Sequence, residues 1–145
     1  MAQRVYGELL FTTRGAPLPP LTTVPLALDG ETAAGDTGWL VRCRPAVCPP
    51  ANRSGVFYLP RDEAEGELVL RARQTGDTIL LPGREGTKTL KKLFIDEKIP
   101  RRQRERVPVL ADSAGVIAVA GFGPDSRRLA RPGQSAYELE FYRKE

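Results

Sequence analysis

The sequence predicts an α+β domain in which short strands surround one helical insertion. Three observations predict it. Nine short apolar segments, several of them alternating, are separated by turns drawn from the chain's 14 glycines and 13 prolines. One stretch, residues 83–108, carries apolar spacing of helical period. That stretch also holds nine Lys or Arg against four acids, a net +5, whereas the whole chain is +4 and everything outside the stretch sums to −1.

Taken in order, residues 4–12 (RVYGELLFT) read as a strand, and the Pro- and Gly-rich residues 14–20 as a turn or loop. Residues 21–28 form a second strand whose Pro25 places it at a sheet edge or a strand start. Asp29-Gly30 is a tight-turn signal, residues 32–38 read as loop, and Trp39 to Arg44 as a third strand. A proline-bearing loop, 45–55, leads to a short strand, 56–59. The charged run 61–66 marks a boundary between a strand-rich flank, 1–66, and a motif-bearing part, 67–145, within one domain.

In residues 67–74, Leu68, Leu70 and Ala72 alternate with Val69, Arg71 and Arg73, so this strand puts two arginines on one face, where they either meet an anion or pair with Asp77 or Glu67 in the sheet. Gly76-Asp77 makes a turn, 78–81 a strand, and Pro82-Gly83 leads into the basic stretch. There Leu90, Leu93 and Phe94 fall at i, i+3 and i+4 and form the apolar stripe of a helix, with Thr87 or Thr89 as its cap. Lys88 and Lys92, four apart, are expected on the opposite side, with Lys91 nearer the flank. Ile99-Pro100 stops the pattern, and Pro100 suits the first turn of a second short helix, Arg101 to Arg106, which Pro108 ends. Residues 107–111 and 116–120 read as a hairpin, 121–133 as a turn-rich basic segment, and 136–142 as a final aromatic strand.

Composition excludes several classes. No apolar run approaches the length of a membrane span, and the N-terminal residues lack the apolar core of a signal peptide, so the expected compartment is the cytoplasm. There is no histidine, which removes the commonest general base and makes a structural zinc site on Cys43 and Cys48 a poor reading. The two cysteines are expected reduced. GREGTKT, 83–89, does not have the spacing of a nucleotide-triphosphate loop. A weaker reading keeps the helix N-terminus, flanked by Arg84 and Lys88, as a seat for one phosphate.

A basic surface confined to one stretch is the footprint expected for a polyanion partner. The alternative is a solvated helix face, or a docking face for an acidic partner domain; a stand-alone enzyme using Asp77 or Asp96 is a third reading. Phe57, Tyr58, Phe94, Tyr137, Phe141 and Tyr142 read as core residues more than as stacking platforms, so contact with the backbone of a folded RNA suits the chain better than single-strand stacking.

Several motifs together carry a resemblance. They are Arg71-x-Arg73-x-x-Gly76-Asp77, Gly83-x-x-Gly86-x-Lys88-x-Leu90-Lys91-Lys92-Leu93-Phe94, Ile99-Pro100-x-x-x-Arg104-x-x-x-Pro108, and a hairpin ending in Gly121. In order and spacing, from about 67 to 123, they resemble the C-terminal domain of bacterial tRNA(Ile)-lysidine synthase. The resemblance implies a layered β/β/α arrangement, also seen in a domain of phenylalanyl-tRNA synthetase. It implies a parent enzyme that uses ATP to adenylate a cytidine in the anticodon of a minor isoleucine tRNA, which lysine then attacks to give lysidine. The family's catalytic half carries an SGGxDS nucleotide loop, and no such sequence occurs here. The implied partners are therefore tRNA and an ATP-binding catalytic domain, with no cofactor held by this chain. On this reading Lys88, Lys91, Lys92, Arg101, Arg102 and Arg104 contact phosphates, with Arg71, Arg73 and Arg84 as further candidates. Gly76, Gly83, Gly86 and Pro100 shape the surface.

Overall fold

The structure, a computed structural model, describes residues 19–51 and 55–143. The strand expected at 4–12 lies outside the described residues.

Two antiparallel sheets share the core. The first described strand, β1 (Val24–Pro25), belongs to the larger sheet. The smaller sheet has four strands: β2 (Gly30–Ala33), β3 (Trp39–Val47), β4 (Val56–Pro60) and the C-terminal strand β11 (Ser135–Arg143), paired in the order β2-β3-β11-β4. Two of the sequence expectations change here. Residues 30–33 form a strand rather than loop, and β3 runs through Pro45 to Val47. Pro45 is tolerated because β2 pairs β3 only over Leu40 to Cys43, so beyond Cys43 the strand has β11 alone as neighbour. Alternation sets the two faces. Val41, Cys43, Phe57, Leu59 and Leu139 point into the core, while Arg42 and Arg44 stand opposite Glu140 and Glu138 on the other face.

The larger sheet joins β1 to β5 (Val69–Arg71), β8 (Val109–Asp112), β9 (Gly115–Val119) and β10 (Gly123–Pro124), in the order β10-β9-β8-β5-β1. Pro25 lies in the edge strand β1, as the sequence predicts. The hairpin β8–β9 forms with Asp112 and Gly115 as its closing pair, and its register slips by a bulge between Val116 and Ala118. All four residues of β8 are buried. Leu110 joins the core shared with Val41, Cys43, Leu59 and Leu139, whereas Val109 and Ala111 join a second cluster with Leu90, Leu93 and Phe94. This sheet is therefore covered on both faces, which is why its central strand carries no charge before Asp112.

The basic stretch is shorter in helix than its periodicity implied. Strands β6 (Thr78–Ile79) and β7 (Lys88–Thr89) form a two-stranded ribbon, and helix α1 spans Leu90–Asp96. Thr89 is the N-cap: its hydroxyl oxygen accepts from the Lys92 N–H at 3.1 Å. The helix ends through a left-handed residue, Lys98, at φ 61°. Lys98 N–H donates to the Ile95 carbonyl and Ile99 N–H to the Phe94 carbonyl, the hydrogen-bond pattern of a Schellman cap. Ile99 then packs against the second cluster. Pro100 precedes a 3-10 helix, Arg101–Arg106.

Cys43 and Cys48 are both unpaired thiols. Cys43 is fully buried, and burial, aided by the charge of Asp29, pushes its thiol from 9.0 up to about 12. Thiolate at a given pH is then about a thousandfold scarcer than for an unshifted thiol. Alkylation of the folded protein is expected to spare Cys43, and unfolding in urea to expose it; mass mapping of the labelled cysteines checks this. Rapid native labelling at Cys43 would contradict the buried placement.

Candidate nucleic-acid interface

Sequence reasoning put nine cations on one surface, and the structure divides them. Arg71 is 8% exposed. Its guanidinium donates to Asp77 at 2.7 and 3.2 Å, and also to the Ala72 carbonyl. The Asp77 carboxylate accepts the Gln74 N–H as well, and its carbonyl accepts the Leu90 N–H that opens α1. Arg71 and the Gly76-Asp77 turn thus hold β5, the ribbon and the helix start together. Arg73 lies outside β5 and sets its Nε 3.0 Å from Glu105, a charge contact too oblique for a hydrogen bond. Both arginines are taken up by acids of the chain: Arg71 takes Asp77, one of the two partners the sequence offered, and Arg73 takes Glu105 rather than Asp77 or Glu67, so they do not stand free for an anion.

Lys88 sits in β7, not on α1, and pairs with Asp96 at 2.9 Å. The expectation that Lys88 and Lys92 share a helix face is overturned, because the chain is extended until Thr89 caps the helix. Lys88 holds the Asp96 carboxyl below its ordinary value through this hydrogen bond. Two of the N-terminal amides of α1 are also engaged, Leu90 N–H by the Asp77 carbonyl and Lys92 N–H by the Thr89 hydroxyl, which narrows the seat expected there for a phosphate. Arg104 donates from Nε to the Ile99 carbonyl at 2.9 Å and braces the Pro100 corner.

The remaining candidates are Arg84, Lys91, Lys92, Arg101 and Arg102. All five are exposed, and among the described residues none carries an ion pair. Lys91 and Lys92 lie on α1 with its buried face, Leu90, Leu93 and Phe94, turned inward. Arg101 and Arg102 open the 3-10 helix directly after the corner.

Elsewhere much of the charge is compensated, although Arg61, Lys98, Arg131 and Arg143 are also exposed and carry no ion pair among the described residues. On the outer face of the four-stranded sheet, Arg42 meets Glu31 and Glu140 at 3.1 and 3.2 Å, and Arg44 meets Glu138 at 2.8 Å. In the basic segment 121–133, Arg127 pairs with Asp125 and Arg128 with Asp112. A cleft of about 740 Å³ near that segment is lined by five acids, Asp62, Glu63, Glu65, Asp77 and Asp125, against two cations, Arg127 and Arg128, both paired with acids, so it does not suit a polyanion. Asp77 is engaged by Arg71 and Asp96 by Lys88, an arrangement that fits structure better than catalysis. Among the described residues no group of three His, Cys, Asp or Glu is placed to hold a metal ion, and no helix is long and apolar enough to cross a membrane.

Of the aromatics considered from the sequence, Phe57, Tyr58 and Phe94 are buried. Sequence reasoning passed over Trp39 and Phe122, half-buried residues that line a cleft with Gln103 and Arg106 of the 3-10 helix. They are 83 positions apart in the chain, and no local pattern announces their meeting.

Comparison with known proteins agrees with this architecture. The family described as the TilS substrate C-terminal domain matches residues 68–141, from the end of the 61–66 boundary to the last strand. The tRNA(Ile)-lysidine synthase of Symbiobacterium thermophilum is 34% identical over 106 residues, covering 71% of this chain and 22% of that protein. The bifunctional protein TilS/HprT of Listeria innocua is 40% identical over 143 residues, covering 97% of this chain and 20% of that protein. The chain thus spans about a fifth of the length of these relatives. A crystal structure of a TilS C-terminal domain superposes with a TM-score of 0.66 at 26% identity, covering 89% of this chain and 95% of that one. With its motifs, its β-rich fold and a family match over residues 68–141, this chain belongs to the C-terminal domain family of tRNA(Ile)-lysidine synthase.

Proposed function

We propose that this chain is the tRNA-binding domain of a tRNA(Ile)-lysidine synthase. In this reading it positions tRNA in the cytoplasm, and an ATP-binding catalytic domain of the same enzyme, absent from this sequence, makes lysidine at the anticodon cytidine. The observation that carries the reading is the clustering of free cations on one stretch: Arg84, Lys91, Lys92, Arg101 and Arg102 are exposed and, among the described residues, carry no ion pair, while Arg42, Arg44, Arg71, Arg73, Lys88 and Arg106 have acidic partners. Unpaired surface cations have only water and counterions to give up, so they are the ones a phosphate backbone recruits. The layered β/β/α order and the kinship with a phenylalanyl-tRNA synthetase domain belong to the same proposal; the core between the sheets and α1 on the far cluster support the layering.

Binding of tRNA across a salt series tests it. Changing Lys91, Lys92, Arg101 and Arg102 together to Ala is expected to weaken all tRNAs alike, since phosphates carry no sequence information. The log–log salt slope should fall by about 0.7–0.9 for each phosphate that goes unneutralised. Stability should stay within about 0.5 kcal/mol, because all four side chains are exposed. Lys88→Ala is expected to do less, as Lys88 is committed to Asp96. A folded quadruple variant with unchanged affinity and slope would overturn the RNA surface and leave docking on an acidic partner domain as the role of these helices.

A further inference from the structure

The cleft beside the second basic helix brings aromatic and cationic residues together. About 430 Å³ in volume, it falls within the ~300–1,000 Å³ range of small-ligand sites. Its walls include Trp39 and Phe122, the side chains of Gln103 and Arg106, and Arg143 of β11. Gln103 and Arg106 stand on the same 3-10 helix as Arg101 and Arg102, so the cleft opens next to the unpaired cations.

Three features fit it to a flat aromatic guest. The Arg143 guanidinium lies 4.9 Å from the Trp39 ring centroid, and its only other tie among the described residues is a long 3.5 Å contact with the Thr37 carbonyl. It is exposed and free to swing and stack on an incoming ring. Trp39 is held edge-on by Phe141 behind it, with centroids 6.3 Å apart at 90°, so the indole is fixed rather than loose. Gly121, at φ 84°, faces the outer edge of the same indole: a Cβ there would come within 3.7 Å of the six-membered ring. Glycine is required by that backbone, and the consequence is that no side chain covers the edge of Trp39. Gln103 is exposed, and its side-chain amide makes no hydrogen bond among the described residues, which leaves a donor and an acceptor for the edge of a base. Arg106, by contrast, is held by Asp36 and the Pro19 carbonyl, and it shapes the wall.

We propose that this cleft takes one unpaired base of the RNA whose backbone lies on Lys91, Lys92, Arg101 and Arg102. The base stacks with Trp39 and Arg143 and is contacted on its edge by Gln103. The inference rests on the RNA-binding reading above and adds a single-stranded element to it.

Two RNAs separate the two ideas: a blunt hairpin duplex, and the same hairpin with a short single-stranded extension. Trp39 is the chain's one tryptophan, so its fluorescence reports on this cleft alone. The extended RNA is expected to bind about 5- to 150-fold tighter than the blunt one, the span conferred by one stacked base, and to shift or quench Trp39 emission. Gln103→Ala and Arg143→Ala, both at exposed positions, should shrink that advantage while leaving the blunt hairpin's affinity and the melting temperature in place. Equal binding of the two RNAs with silent Trp39 emission would overturn the base cleft and leave the backbone surface standing. An advantage that persists undiminished in both variants would also overturn the cleft. Binding of neither RNA would overturn the backbone surface, and the cleft with it.

Discussion

Phe94→Ala is expected to destabilise the domain by about 3–5 kcal/mol, the range for removing a buried phenylalanine from a packed site. Phe94 is 0% exposed and stacks with Phe122 at 5.9 Å. It lies among Leu90, Leu93, Ile79, Val109 and Val119, contributed by the helix, the ribbon and the five-stranded sheet. Those neighbours are fixed by strand pairing and by the caps of α1, so the void collapses poorly and the cost lies toward the upper end. A loss of this size corresponds to a fall in melting temperature of roughly 10 °C for a domain of this length. Urea unfolding with an unchanged slope and a lowered midpoint would show it. Below the melting transition the variant should keep most of its RNA affinity, because Phe94 is buried whereas Lys91 and Lys92 are exposed. A variant that melts with the wild type would mean that the helix buries another face.

Asp112→Asn is expected to cost about 3 kcal/mol, the lower end for breaking a buried ion pair by removing one partner. The Asp112 side chain is 0% exposed and accepts four hydrogen bonds: from Arg128 at 2.5 and 3.2 Å, from the Glu65 N–H at 2.9 Å and from the Ala114 N–H at 3.0 Å. It closes the β8–β9 hairpin, ties it to the 61–66 crossing, and anchors the segment after β10. Asparagine keeps one acceptor for the Ala114 turn but presents N–H groups to the guanidinium. Arg128 is 19% exposed and recovers some water, which keeps the loss at the lower end.

The same carboxylates give the domain a definite acid response. Burial would push the Asp112 and Asp125 carboxyls up, but the hydrogen bonds from Arg128 and Arg127 and from backbone N–H groups outweigh it and hold both below the usual value of 3.8. A lowered folded-state pKa means that the unfolded chain takes up the proton first. The stabilisation is therefore fully present above about pH 4 and is lost as pH falls through the folded-state value. Stability of the wild type should decline steeply below about pH 4, and Asp112→Asn should show a shallower decline from a lower starting point. A variant as stable as the wild type at neutral pH, or equally steep in acid, would contradict this account.

Much of the helix region was legible because its rules are local. Leu90, Leu93 and Phe94 at helical spacing are buried, Thr89 caps, and Pro100 opens a second short helix. Pro25 could lie only where its missing N–H is not needed, and it does, at an edge. The motif spacing from Arg71 to Gly121 also led to the right family, since it is a property of the chain order itself.

What the sequence left open is which charges meet. A list of cations does not decide whether Arg71 meets an anion or pairs with Asp77, and does not say that Lys88 is still extended when it reaches Asp96 or that Arg104 is spent on a carbonyl. Arg128 finds Asp112 across 16 residues, and Arg106 finds Asp36 across 70, because strand register and the path between sheets bring them together. Trp39 and Phe122 likewise share a cleft through sheet packing and not through spacing. Periodicity and caps act within a turn or two of the chain, so the sequence by itself determined the strand-rich class, the basic helix and its buried stripe. Pairing energy acts through space, so only the tertiary structure decided which of the nine candidate cations remain free for a polyanion.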